Sequence, residues 1–378
     1  MDNTVYDIAI TGGGLAGLTL AIQAADAGYH VTLFEKESYP FHKVCGEYIS
    51  KESHSFLLRC GLPLDEWALP DIQRLQVSDT GGTVFDFVLP LGGFGISRYK
   101  LDHALYKLAL LKGVIIHTEC KVNDILYRND LFNIQTGNGE YMAKTAAGSF
   151  GKRSNLDVKW NRDYILSRPN KINHLIGVKY HVQYPHPKNT IALHNFENGY
   201  CGISQIEDGN CCVCYLTTAE NLKKSNNSIQ EMEVQVLSQN KQLKKILTEA
   251  KHLYEQPLTI SQISFEKKTQ VENHVLMLGD AAGMITPLCG NGMSMAMHSG
   301  KMAFETMQQY LSGTISRAAM ENIYTSKWQQ AFANRTRTGR MVQSLFGGRF
   351  STAVFLRVMH LFPKLSRKLI EQTHGKGF

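Results

Sequence analysis

The sequence predicts an α/β chain whose doubly wound, nucleotide-binding sheet is interrupted by a mostly antiparallel β domain. Three observations carry this. Residues 5–35 read strand, glycine turn, helix, strand. Residues 275–300 read as a second strand that ends in Gly279-Asp280, followed by small residues, Gly290-Asn291-Gly292 and a periodic segment. Between them, residues 156–267 carry alternating segments such as HLIGVKYHVQYP and NCCVCYLTTA, with Gly and Asn at the turns. A chain of 378 residues exceeds the usual size of one core, and 43% apolar residues are enough to fill more than one.

The first element is the most explicit. Ile8, Ala9 and Ile10 form the apolar run of a buried parallel strand. Leu15, Leu18, Ile22 and Ala25 recur at helical spacing, Gly28 stops that helix, and residues 31–34 form the next strand. The turn between them is Gly12-x-Gly14-x-x-Gly17. Gly12 permits the sharp bend, Gly14 removes a side chain where a pyrophosphate approaches, and Gly17 lets helix and strand pack closely. Leu15 and Ala16 open the helix, whose free N–H groups and positive dipole end face the phosphates. Glu35 closes the second strand, placed to accept hydrogen bonds from a ribose 2′-hydroxyl. A free 2′-hydroxyl means FAD or NAD.

The second element favours FAD. Asp280 at a strand end can bond a polyol chain such as ribityl. The Gly-Asn-Gly segment at a helix start can offer N–H groups to the electron-rich edge of a reduced flavin.

These segments resemble the superfamily of FAD-dependent oxidoreductases that includes aromatic hydroxylases, flavin halogenases and geranylgeranyl reductases. Four stretches carry the likeness: the glycine turn with Glu35, FHKVCGEYIS at 41–50, SRYKLDHAL at 97–105, and GDAAGMITPLCGNGM at 279–293. The resemblance implies a Rossmann-like FAD-binding domain of the glutathione-reductase/p-hydroxybenzoate-hydroxylase type. It implies that Arg98 and Asp280 contact the ribityl–pyrophosphate arm. It also implies that Pro287, Gly290, Asn291, Gly292 and Met293 pass beneath the ring, and that Val122 holds adenine through its backbone. Lys43 and Gly46 fall in the same cofactor-binding set. Cys45, in a CGE stretch similar to that of the reductases, is the candidate catalytic residue: a thiol near the ring that donates a proton or shapes the pocket. One departure stands out. Where hydroxylases of the group carry an Asp used near the pyrophosphate and in nicotinamide handling, this chain has Phe150 in AAGSFGKRSNLD.

The expected organisation is discontinuous: residues 1–75, 95–155 and 268–325 as the FAD-binding domain, 76–94 and 156–267 as the substrate domain, and 326–378 as a basic helical segment. A single helical segment is expected over 228–250. The adopted reading is a monooxygenase that hydroxylates a hydrophobic aromatic or phenolic small molecule, with NAD(P)H or a partner reductase supplying electrons. The alternatives are a geranylgeranyl-reductase-like enzyme that saturates C=C bonds of an isoprenoid or polyene, and a non-catalytic flavin electron carrier. The W-x-W-x-I-P stretch of halogenases is absent.

Composition narrows the partners. The net charge is +7, and residues 335–378 hold nine Lys/Arg against a single acid, Glu371, interleaved with apolar residues. That pattern fits peripheral membrane contact or a solvated basic face. No recognised motif points to nucleic acid. No apolar run reaches the roughly 18–20 residues of a membrane span. The acidic start without a basic n-region makes a cytoplasmic chain with reduced thiols the expectation. Of eight cysteines only 211, 212 and 214 cluster, without a second ligand pair, so no metal is expected and the cluster reads as a strand of small thiols. The histidines at 174, 181, 186, 194 and 298 also lack metal spacing.

Overall fold

In a computed structural model, residues 4–166 and 174–378 are described. They form two sheets with helices packed around them. In the first, five parallel strands run side by side: Val275–Met277, Glu140–Gly148, Val5–Thr11, Val31–Phe34 and Ile115–His117. The short strand Val271–Glu272 edges it antiparallel, and the hairpin Val122–Arg128/Leu131–Thr136 joins Glu140–Gly148. Ile8, Ile10 and Leu33 are fully buried, as strands covered on both faces require.

The helix Leu15–Asp26 is apolar on nearly every side because it is enclosed. It packs on the sheet and crosses the long helix Gly292–Leu311, where a Cβ on Gly300 would lie 2.6 Å from the Ala16 carbonyl oxygen. That crossing ties the first glycine turn to the last, 260–300 residues apart in sequence. Truncating a fully buried residue such as Leu18 to Ala costs about 2–5 kcal/mol.

The second sheet has nine strands and is mostly antiparallel. The pairing of Asp71–Ser78 with Thr190–Phe196 is parallel. Alternation sorts its faces. On Leu175–Gln183, Val178, Tyr180 and Val182 pack with Met232, Leu243 and Ile246 of the helices Ile229–Gln235 and Lys241–Glu249. Gly177, Lys179 and His181 point the other way.

Several boundaries differ from expectation. Tyr48–Ser50 and Asp71–Ser78 already belong to the second sheet, although 1–75 was assigned wholly to the nucleotide fold. The helical segment at 228–250 is broken at Asn240, whose side-chain oxygen accepts from Gln242 N and Leu243 N. Its amide meanwhile bonds Ser78 Oγ and the carbonyls of Asp79 and Asn195. The division at 325/326 falls inside the helix Arg317–Ser344. Two further helices, Arg349–Leu361 and Pro363–Thr373, lie across the second sheet. No helix among the described residues is long and apolar enough to cross a membrane.

Candidate active site

A cleft of about 1200 Å³ runs between the two sheets. Every predicted site residue except Gly17 lines it. Gly17 lies beneath the turn, where an added Cβ would sit 2.2 Å from the Gly12 carbonyl oxygen, so it performs the packing role assigned to it.

At the glycine-turn end Gly12 has φ +105, and a Cβ there would strike the Ser149 carbonyl at 2.5 Å. Glu35 is buried; its carboxylate accepts from Gly13 N at 2.8 Å and from Glu37 N at 3.1 Å. A carboxylate has about four lone-pair sites, so positions remain for ribose hydroxyls. Val122 lines the cleft close by, and its carbonyl accepts from the Asn155 amide at 3.1 Å. Phe150 also borders the cleft, so an aromatic ring stands beside the glycine turn.

Gly14 leaves open space. A methyl group there would sit 3.8 Å from both Arg98 Nη2 and Lys43 Nζ. Both cations hold Asp102, Arg98 through two bonds of 2.7 Å and Lys43 at 3.0 Å. Burial works to raise the Asp102 carboxyl, but Arg98 and Lys43 hold it below the usual carboxylate range. Two cations sharing one carboxylate leave positive charge beside an open glycine, which suits a pyrophosphate.

The opposite end is built on the strand Val275–Met277 and the turn Gly279–Ala281, with the half-buried Asp280 facing the cleft. Lys268 and Arg162 brace that turn. Lys268 Nζ donates to the carbonyls of Lys152 and Asp280, and burial pushes its ammonium down to about 8. Arg162 joins Asp157 and the Ala281 carbonyl. The helix Gly292–Leu311 starts without a side-chain cap, so its first N–H groups are not consumed by Asn291. The Asn291 amide instead donates to the Thr373 carbonyl at 2.8 Å. These features fit FAD: a carboxylate for ribityl and an uncapped helix start for the ring edge. Cys45 Sγ lies 3.6 Å from Met293 Sδ, in the first turn of that helix.

Beside Cys45 lies a buried network whose partners the sequence reading did not connect. Glu47 is fully buried and accepts from Lys179 Nζ and from Arg98 N at 2.8 Å; its other oxygen meets His181 Nε2 at 2.5 Å. Lys179 also donates to the Lys43 carbonyl at 3.1 Å. Burial works to raise the Glu47 carboxyl, but Lys179 and His181 hold it below its ordinary range. Glu47, His181 and Cys212 lie close enough to suggest a metal. However, the ammonium of Lys179 already supplies the cation, and burial pushes the Cys212 thiol well up, keeping it protonated. The available signal was alternation: Lys179 and His181 are two apart on a strand, directly opposite Cys214 and Cys212.

A second, apolar cavity of about 110 Å³ adjoins the cleft at its Gly290 end. Leu75, Val77, Phe87 and Leu193 of the second sheet form one wall, and Phe355, Leu356, Met359 and Leu369 of the C-terminal helices the other. Tyr48 and Gly290 border both cavities. The Tyr48 ring is slotted between two glycines: a Cβ would lie 2.3 Å from it at Gly93 and 2.9 Å at Gly290. Its hydroxyl is buried and makes no hydrogen bond. Burial, with the nearby charge of Glu52, pushes this phenol above its usual value, so it remains a donor.

Comparison with known proteins agrees with this geometry. A sequence model of the NAD(P)-binding Rossmann-like domain matches residues 10–59. A digeranylgeranylglycerophospholipid reductase of Methanosarcina acetivorans is 24% identical over 90% of this chain and 85% of its own length. Conditioned medium factor receptor 1 of Dictyostelium discoideum is 23% identical over 92% and 72%. Among solved structures, the flavin-dependent brominase Bmp2 superposes with TM-score 0.78 at 18% identity, over 98% of this chain and 93% of its own. PqsL of Pseudomonas aeruginosa, a probable FAD-dependent monooxygenase, gives 0.74 at 14%, over 93% and 99%. The chain spans 64% of the length of the halogenase CmlS, with TM-score 0.76 at 18% identity over 89% of this chain. The chain has the fold of these flavin-dependent enzymes. In this fold the two ends of the cleft are joined by the crossing of the helices Leu15–Asp26 and Gly292–Leu311.

Proposed function

We propose that the chain is a flavin-dependent hydroxylase of an aromatic or phenolic molecule with a sizeable apolar body. The observation that carries this reading is the apolar cavity that adjoins the cleft at Tyr48 and Gly290, lined on one side by the second sheet and on the other by the C-terminal helices. It suits the apolar body of such a molecule, and Leu193, Leu288 and Met359 exclude water from it. FAD, when bound, supplies electron storage and oxygen activation. Arg98, Lys43, Glu35 and Asp280 hold its arm. Electrons come from NAD(P)H or from a partner reductase.

A second reading, reduction of an isoprenoid or polyene C=C bond, is favoured by Cys45 beside Met293 and by the likeness to the Methanosarcina reductase. Halogenation has less support: Lys179, fully buried, is tied to Glu47 and the Lys43 carbonyl. An electron carrier needs an open ring edge, whereas this end is walled by helices.

The deciding experiment supplies FAD-loaded protein with reductant, an alkylphenol and isotopically labelled oxygen. Hydroxylation places one labelled atom in the product. Saturation of a polyene without oxygen incorporation would replace this reading with the second.

A further inference from the structure

The helix Arg349–Leu361 is apolar on two opposite faces. Its inner face, with Phe355, Leu356 and Met359, lines the apolar cavity. Its outer face carries Phe350, Val354, Val358 and Leu361, spaced 4, 4 and 3 residues apart and therefore one stripe. These residues are exposed: Phe350 82%, Leu361 71%. Phe362 and Leu365, also exposed, continue the stripe into the helix Pro363–Thr373. A helix apolar all round is normally enclosed; here one side has no covering among the described residues.

Charge identifies what covers it. Arg349, Arg357, Lys364, Arg367 and Lys368 are exposed on these two helices, and Glu371, paired with Arg367 at 2.9 Å, is their single acid. A second copy on this face would set like charges against each other. An anionic lipid surface takes both components, the apolar stripe into the acyl boundary and the cations at the headgroups. We infer that the outer face of Arg349–Leu361 and the start of Pro363–Thr373 dock on an anionic bilayer. The same helix then stands between the bilayer and the apolar cavity, so a lipid-dissolved substrate reaches the site through the membrane-facing wall. This last step rests on the hydroxylase reading; the docking itself does not.

The test is co-sedimentation of the FAD-loaded protein with phosphatidylglycerol-containing vesicles and with pure phosphatidylcholine vesicles, at low and high salt. Binding to the anionic vesicles that weakens with salt is expected. The triple variant Phe350→Ser, Leu361→Ser, Phe362→Ser should lose roughly tenfold or more in partitioning while keeping its flavin spectrum. Arg357→Gln with Lys364→Gln should lower binding and its salt dependence together. Protein that stays in the supernatant, equal binding to both vesicles, or binding indifferent to the triple variant overturns the inference. So does a dimer on gel filtration that the triple variant dissolves, which would give the face to a second copy. A bleached flavin in the unsubstituted protein would strike the functional reading instead and leave the docking result standing.

Discussion

The two ends of the cleft are built by different physics. At the glycine-turn end the wall is backbone and charge: an open glycine, two cations on one carboxylate, and an acid already fixed by two N–H groups. At the other end, the adjoining cavity has a mostly aliphatic and aromatic lining. The first suits any dinucleotide of the right shape; the second selects by volume and apolar surface. The comparison teaches that the generic end sets whether the protein works at all, and the particular end sets on what.

Substitutions can break or sharpen that contrast. The largest effect is expected from Gly14→Val, which fills the space beside Arg98 and Lys43; the purified protein should be colourless and take up no FAD from solution. Next, Lys179→Met strands the buried Glu47 carboxylate and should cost about 3–5 kcal/mol in urea unfolding. The pH dependence follows from the depressed Glu47 value. Its contribution is fully present above the unfolded-state value near 4.5 and is lost as pH falls through the lower folded-state value. Acid unfolding curves of the native protein and of Glu47→Gln should therefore converge at low pH. Glu35→Ala should weaken FAD by about 1.5–3 kcal/mol, read by titrating the apoprotein. The smallest effect is at Tyr48→Phe: FAD affinity unchanged and, because the hydroxyl is buried without a partner, about 1 kcal/mol gained in urea unfolding. A loss of stability instead would show that the hydroxyl has a partner in the folded protein.

The same contrast explains what could be read from the chain. Gly12, Gly14, Gly17 and Glu35 lie within one β-α-β unit, so local spacing announces them. The late segment was legible because an Asp at a strand end and a Gly-Asn-Gly stretch at a helix start leave a compositional trace. Tyr48 was not, because its position depends on Gly93 and Gly290, far away in sequence and on different elements. Lys179 and His181 were visible as alternating polar residues in a buried strand, but their partner Glu47 lies more than 130 residues away. The break at Asn240 was hidden for a similar reason: its amide is claimed by residues at 78, 79 and 195.

The hydrogen bond from Asn291 to the Thr373 carbonyl has a mechanical consequence. It clamps the loop that opens the helix Gly292–Leu311 to the tip of the outermost helix Pro363–Thr373, so displacement of that exterior rod pulls directly on the floor of the cleft.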